Sequence, residues 1–344
     1  MSTGEALPTN RATGAFERRV AQALASMVPS GRPVVVACSG GADSAAALVA
    51  VVRARGGDSR IVAAYFDHGL RPPAENEADR DAVASLASRL ECGFAAGAAG
   101  DSDLAAGGGS EAAAREWRYR WLAEACADSG ANVCVTGHTL DDQAETVLLR
   151  LTRGAGTGGA SGMRTLAPWP VACDGPSLSV ARPLLDERRE SVREYIEVLE
   201  IEPREDPTNA TLDFDRNRVR HRVLPELREI SSGAESALAR FSNLARRDHE
   251  ALEQWATREV ERVVRIGAGA AAIGRRSLLA LPPAIASRIV RQSAARLGLV
   301  MESSQVEQAL AGARRRGARV SLAGGEVVVT DSDLLIRRRM EKDP

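Results

Sequence analysis

Pro33-Val34-Val35-Val36-Ala37-Cys38-Ser39-Gly40-Gly41-Ala42-Asp43-Ser44 is the stretch on which the fold turns. Its first six residues are apolar without alternation, the pattern of a short strand buried on both faces. The rest puts two glycines and two hydroxyls between that strand and an Ala-rich stretch, to about Arg55, that reads as a helix. Glycines at such a corner let backbone N–H groups approach phosphate oxygens. The helix N-terminus adds free donors and a partial positive charge. Ser39, Gly40, Gly41, Asp43 and Ser44 are therefore candidate nucleotide-binding residues. Without a Gly-Lys-Ser/Thr ending, the loop is not one that transfers a γ-phosphoryl group, nor does it carry the dinucleotide fingerprint. Asp43 would repel phosphate unless Mg²⁺ lay between them, which makes it a candidate metal ligand. The plain alternative is an ordinary strand–turn–helix corner.

Outward from this corner, strand-like and helix-like segments alternate, as in a parallel α/β sheet. Strands are expected at about 60–66, 132–136 and 179–185, and helices at about 75–91, 110–128, from near 141 with a core stripe reaching Leu151, and at 187–199. The fold class expected is a Rossmann-like parallel sheet with flanking helices. A mainly helical C-terminal domain with a small β element around Gly324-Gly325 should follow. Composition changes near Arg216, which suggests domains of 1–215 and 216–344. Gly154–Gly159 is rich enough in glycine to read as a mobile loop.

Asp67-His68 closes the second expected strand, where ligands of open α/β sheets bind; an Asx turn with a surface imidazole is the alternative. Arg115 and Arg118 could neutralise phosphates or leaving pyrophosphate, or be solvated on a helix surface. His138, Asp141, Asp142 and Glu145 resemble a metal cluster but lack a second nitrogen or thiolate ligand for zinc. A carboxylate pocket for a cation is the better reading. Asp142 and Glu145 are three apart on one helical face, although an acidic first turn can also simply favour the helix dipole. The run Arg216, Asn217, Arg218, Arg220, Arg222 could contact RNA or form a solvated face.

The 344 residues carry a net charge of only −1. This conceals an asymmetry: residues 1–214 hold 21 Arg and 30 acids, and residues 215–344 hold 23 Arg, one Lys and 16 acids. An acidic front and basic back allow an anionic polymer as partner. Five scattered cysteines without a C-x-x-C pair argue against a disulfide framework, a zinc ribbon and an iron–sulfur thiolase. Trp117 and Trp121, spaced i, i+4, read as packing residues. Neither a membrane span nor a secretory signal is legible, so a cytoplasmic location is expected.

The loop Ser39–Ser44 resembles that of the PP-loop ATP pyrophosphatases. Further segments, in order over about 34–225, resemble motifs of the tRNA(Ile)-lysidine synthetases. They are 67–71 (DHGLR), 114–119 (AREWRY), 137–146 (GHTLDDQAET), 153–154 (RG), 182–185 (RPLL), 206–209 (DPTN) and 216–221 (RNRVRH). The resemblance implies an ATP-dependent ligase using Mg²⁺, with tRNA(Ile) bearing a CAU anticodon and free L-lysine as partners. ATP would adenylate the 2-carbonyl oxygen of the wobble cytidine, and the lysine ε-amine would then displace AMP. It implies catalytic roles for Asp43, Arg115, His138 and Asp142, and nucleotide contacts from residues 39–44, Asp67 and His68. Asp142 and Glu145 would hold lysine, and Arg216, Asn217, Arg218 and Arg220 would hold tRNA. The assembly could be a homodimer. The alternatives are a PP-loop tRNA thiolase and a non-catalytic nucleotide- or RNA-binding protein on the same fold.

Overall fold

The computed structural model describes residues 7–56, 60–69, 71–100, 111–173, 177–204, 211–267, 269–315 and 317–339. The expected motif at 206–209 lies outside them.

In the first part, α1 (Arg11–Ala25) leads into β1 (Val34–Cys38) and α2 (Ala42–Ala54). There follow β2 (Ile61–Asp67), α3 (Pro73–Arg89), β3 (Gly93–Ala98), α4 (Glu111–Ser129), β4 (Val133–Val135) and α5 (Leu140–Thr152). A helical turn α6 (Thr157–Ala160), β5 (Leu166–Pro168), β6 (Ser179–Ala181) and α7 (Arg189–Val198) complete this layer. The sheet order is β3-β2-β1-β4-β6-β5, parallel except at the β5 edge. Val34, Val36 and Cys38 enter the core beneath α1, α2, α3 and α7, while Val35 enters the one beneath α4. Side-chain alternation thus explains why β1 had to be apolar at every position.

The sequence missed β3, whose Gly and Ala residues offer no hydrophobic signal. Its Gly97 is required: a Cβ there would lie 2.1 Å from the Trp121 indole nitrogen. Trp121 lies against Phe66 (centroids 5.7 Å apart), and Trp117 is buried in the same cluster, so both are packing residues. The 154–159 segment is also tighter than expected. It includes the turn α6, and Arg150 Nη1 on α5 donates to the carbonyls of Gly159 (3.1 Å) and Gly162 (2.8 Å).

The chain divides into compact units of residues 1–243 and 244–344, rather than at 215/216. Residues after 215 stay with the first unit because α8 (Asp215–Arg218), a π-helical turn (Val219–Val223) and α9 (Leu224–Ile230) follow in one run. Val219 and Leu224 from this run bury themselves with Ala144 of α5. The 30-residue helix α10 (Ala234–Val263) contains the boundary.

The second unit has a five-stranded antiparallel sheet, larger than the expected β element, in the order β7-β8-β11-β10-β9. Its strands are β7 (Val264–Gly267), β8 (Ala270–Gly274), β9 (Arg319–Leu322), β10 (Gly325–Val329) and β11 (Asp333–Arg338). The hairpin at Gly324-Gly325 is where the sequence placed it; the Ala-rich β7–β8 pair carried too little alternation to be read. Helices α11 (Arg275–Leu279), α12 (Pro283–Arg296) and α13 (Ser303–Arg314) complete this unit. Among the described residues, no helix is long and apolar enough to cross a membrane.

Candidate active site

The chain steps from β1 outward to β2 and β3, then returns to the other side of β1 with β4 and β6. The carboxyl ends of β1 and β4 therefore flank a topological switch point, the crevice where open α/β sheets bind ligands. Ser39–Ser44 leaves β1 at this point. Gly40 has φ +85, open to glycine without strain, and Ser44 Oγ donates to the Gly41 carbonyl (2.9 Å) and accepts from Ser39 N–H (3.1 Å). These bonds close the loop on itself, with α2 beginning at Ala42. From β4, Gly137 abuts the loop: a Cβ there would lie 2.4 Å from the Asp43 carbonyl oxygen. Arg204 covers the other side, its N–H donating to the Gly40 carbonyl (3.0 Å) and its Nε to buried Asp79 (3.0 Å).

Next to the loop, α5 begins with a capping box. Thr139 Oγ1 accepts from Asp142 N–H (3.4 Å), and Asp142 Oδ2 accepts from Thr139 N–H (2.8 Å) and Oγ1 (2.9 Å). Asp142 thus caps the helix with one oxygen and turns the other into an arginine cluster. That oxygen, Oδ1, accepts from Arg189 (2.8 Å), Arg216 (3.0 Å) and Arg220 (3.4 Å). Glu145 is 0% exposed and accepts from the same three guanidiniums, at 2.7 Å from both Arg216 Nε and Arg220 Nε and 3.3 Å from Arg189. Arg189 Nε also lies 3.6 Å from Asp43. Asp141 faces away, accepting from the Arg189 N–H (2.8 Å) and Arg228 (3.1 Å).

The two carboxylates nearest the loop respond oppositely to burial. For Asp142, burial opposes the charge, but Arg189 and Arg216 outweigh it and hold the carboxyl down at about 2. For Asp43, burial wins, aided by repulsion from Asp142, and the carboxyl rises to about 6 despite Arg189. Among the described residues, no group of three or more His, Cys, Asp or Glu side chains is arranged to hold a metal. Asp43 alone still suits Mg²⁺, which takes one or two carboxylates and completes its shell with phosphates and water.

His138 follows β4, its Nδ1 2.8 Å from Thr136 Oγ1. Burial, together with Arg182, Arg216 and Arg118, pushes its pKa down to about 3, so the ring is neutral. His68, beside Phe66 (centroids 5.1 Å apart), is pushed down to about 4 by burial and Arg118. Asp67 accepts from Gly69 N–H (2.7 Å), the Asx-turn geometry its alternative reading anticipated. Arg115 is exposed, its guanidinium 4.8 Å from the Tyr119 ring centre, while Arg118 turns further inward.

The structure thus brings Asp43, Asp142 and Glu145 together through Arg189, a residue that sequence reasoning passed over on an amphipathic helix. No spacing signal could have found it, since it is 44 residues from Glu145. Of the basic run, Arg216 and Arg220 turn inward to the carboxylates and Asn217 is buried. Arg218 and Arg222 are exposed.

A PP-loop domain family model matches residues 12–227. A tRNA(Ile)-lysidine synthase of Streptomyces coelicolor is 36% identical over 321 residues, spanning 91% of this chain and 87% of its own. Those of Thermobifida fusca and Salinispora arenicola are 40% and 41% identical, spanning 79% and 83% of this chain and 79% and 82% of theirs. A U34-tRNA thiolase from Methanococcus maripaludis, solved with its 4Fe–4S cluster, superposes with a TM-score of 0.55 at 14% identity. That match covers 68% of this chain and 80% of the thiolase, a likeness of fold alone.

Proposed function

The chain belongs to the tRNA(Ile)-lysidine synthases, ATP-binding ligases of the PP-loop class, and from that premise we propose that it joins lysine to the wobble cytidine of tRNA(Ile) through an adenylated base. The observation that carries this reading is the buried Asp142–Glu145 pair beside a phosphate-binding loop. It is a cation site a few ångströms from a nucleotide site, linked by Arg189.

The loop amides and the Ser39 and Ser44 hydroxyls hold the ATP phosphates at the N-terminus of α2. Mg²⁺, held by Asp43 and phosphate oxygens, would supply charge neutralisation there. The cytidine 2-carbonyl oxygen attacks the α-phosphorus, and pyrophosphate leaves. The ε-amine of lysine then attacks C2, and the C–O bond to AMP breaks. Asp142 and Glu145 bind the cationic groups of lysine, exchanging one partner guanidinium for an ammonium. At about 2, the Asp142 carboxyl is far too weak a base to take the amine proton, so it orients lysine rather than deprotonating it. Neutral His138 adds no positive charge to the crevice.

Incubation with tRNA(Ile), ATP and lysine should yield lysidine in a nucleoside digest read by mass spectrometry, with pyrophosphate release requiring tRNA. A sulfur-containing nucleoside, or ATP turnover without tRNA, would overturn the reading. The arginines facing RNA should separate by orientation. Exposed Arg218, when replaced by Ala, should lower the log–log salt slope of tRNA binding by about 0.7–0.9. Arg220→Ala should leave that slope unchanged, because its guanidinium faces Glu145. Equal slopes for Arg218→Ala and the native chain would make Arg218 only a solvated side chain.

A further inference from the structure

On the α4 side of the same crevice sits positive charge that no carboxylate among the described residues balances. Arg182, directly after β6, is 6% exposed; its Nη1 donates to the Arg164 carbonyl (2.8 Å), but its Nε is buried without a partner. Arg118 lies 5.4 Å from the Tyr119 ring centre, and the buried Tyr119 hydroxyl faces both guanidiniums, a neutral neighbour rather than a counter-charge. Among the described residues, neither arginine is paired with a carboxylate. Burial and the neighbouring Arg115 lower the pKa of both. This is the opposite of the Arg189, Arg216 and Arg220 cluster, where every guanidinium meets a carboxylate. An uncompensated buried charge is costly, and is kept where a ligand supplies the counter-charge.

We propose that Arg118 and Arg182 form a phosphate-binding site beside His138, with Arg115 at its mouth. The guanidinium fork matches two phosphate oxygens, and the orphaned Arg182 Nε supplies a further donor. The site follows β6, next to β4, whose Gly137 abuts the phosphate-binding loop. A phosphate there comes either from the polyphosphate of the nucleotide, leaving as pyrophosphate, or from the RNA backbone. The proposal does not depend on which amine accepts the adenylated base, and binding measurements test it apart from lysidine formation.

The test uses the full chain with Arg118→Gln, Arg182→Gln and Arg182→Lys, the last retaining charge but losing the fork. Binding of inorganic pyrophosphate and of an anticodon stem-loop RNA is measured by calorimetry at fixed salt, with thermal unfolding alongside. At least a tenfold loss is expected in the Gln variants, and a smaller one in Arg182→Lys, for one of the two probes. Loss confined to pyrophosphate identifies the nucleotide as the source; loss confined to RNA identifies the backbone. The Gln variants are expected to keep or gain thermal stability, because an unbalanced buried charge is removed. Native affinity for both probes in Arg118→Gln and Arg182→Lys overturns the proposal, as does a lowered melting temperature with binding intact.

Discussion

Asp43→Asn is expected to abolish tRNA-dependent pyrophosphate release while raising the melting temperature at pH 8. Metal charge stabilisation contributes several kcal/mol to a transition state, so removing its ligand should slow adenylation by about a thousandfold. The stability gain follows from the raised carboxyl. Asp43 titrates at about 6 in the fold, against 3.8 for the free side chain. Between those values the folded chain binds the proton more tightly than the unfolded one, so stability falls as pH rises from about 4 to 6. Asn removes the buried charge, and its advantage should be present at pH 8 and absent at pH 4. Native turnover in Asp43→Asn would remove the metal role; a lower melting temperature at pH 8 would contradict the electrostatics.

Glu145→Gln should raise the apparent KM for lysine by about 10–150-fold, the loss of one charge-assisted hydrogen bond worth roughly 1.5–3 kcal/mol. The structure adds a second consequence. Glu145 is fully buried and accepts from three guanidiniums, so its neutralisation leaves them short of counter-charge and should destabilise the fold by about 3–5 kcal/mol. Kinetics should therefore be read well below the lowered melting temperature. The KM for ATP should stay nearly constant, which separates a lost lysine contact from general disorder. An unchanged lysine KM would leave Glu145 a purely structural anchor for the arginines.

The strand–turn–helix corner and the Asp142–Glu145 pair were legible because each is local. An apolar run, a glycine turn and an i, i+3 spacing are readable within a dozen residues. What escaped was long-range or chemically quiet. Arg189 acquires its meaning only when α7 packs beside α5. Arg216 and Arg220 looked like an RNA-facing surface because charge density does not show which way a helix faces. The strand β3 was invisible because glycine and alanine carry little hydrophobic contrast, and the pressure for Gly97 came from Trp121 on α4. The C-terminal β7–β8 pair failed for the same reason.

In the lysine site proposed above, the three guanidiniums on Asp142 and Glu145 would turn amino-acid capture into a competition. A side chain tethered beside its partner acts as a rival at an effective concentration on the order of millimolar. Lysine entering the proposed site would have to outcompete that rival, so its measured affinity would report a difference between two cations rather than the strength of either contact. Shortening a rival, as in Arg220→Ala, could therefore tighten lysine binding although it deletes a contact in the site.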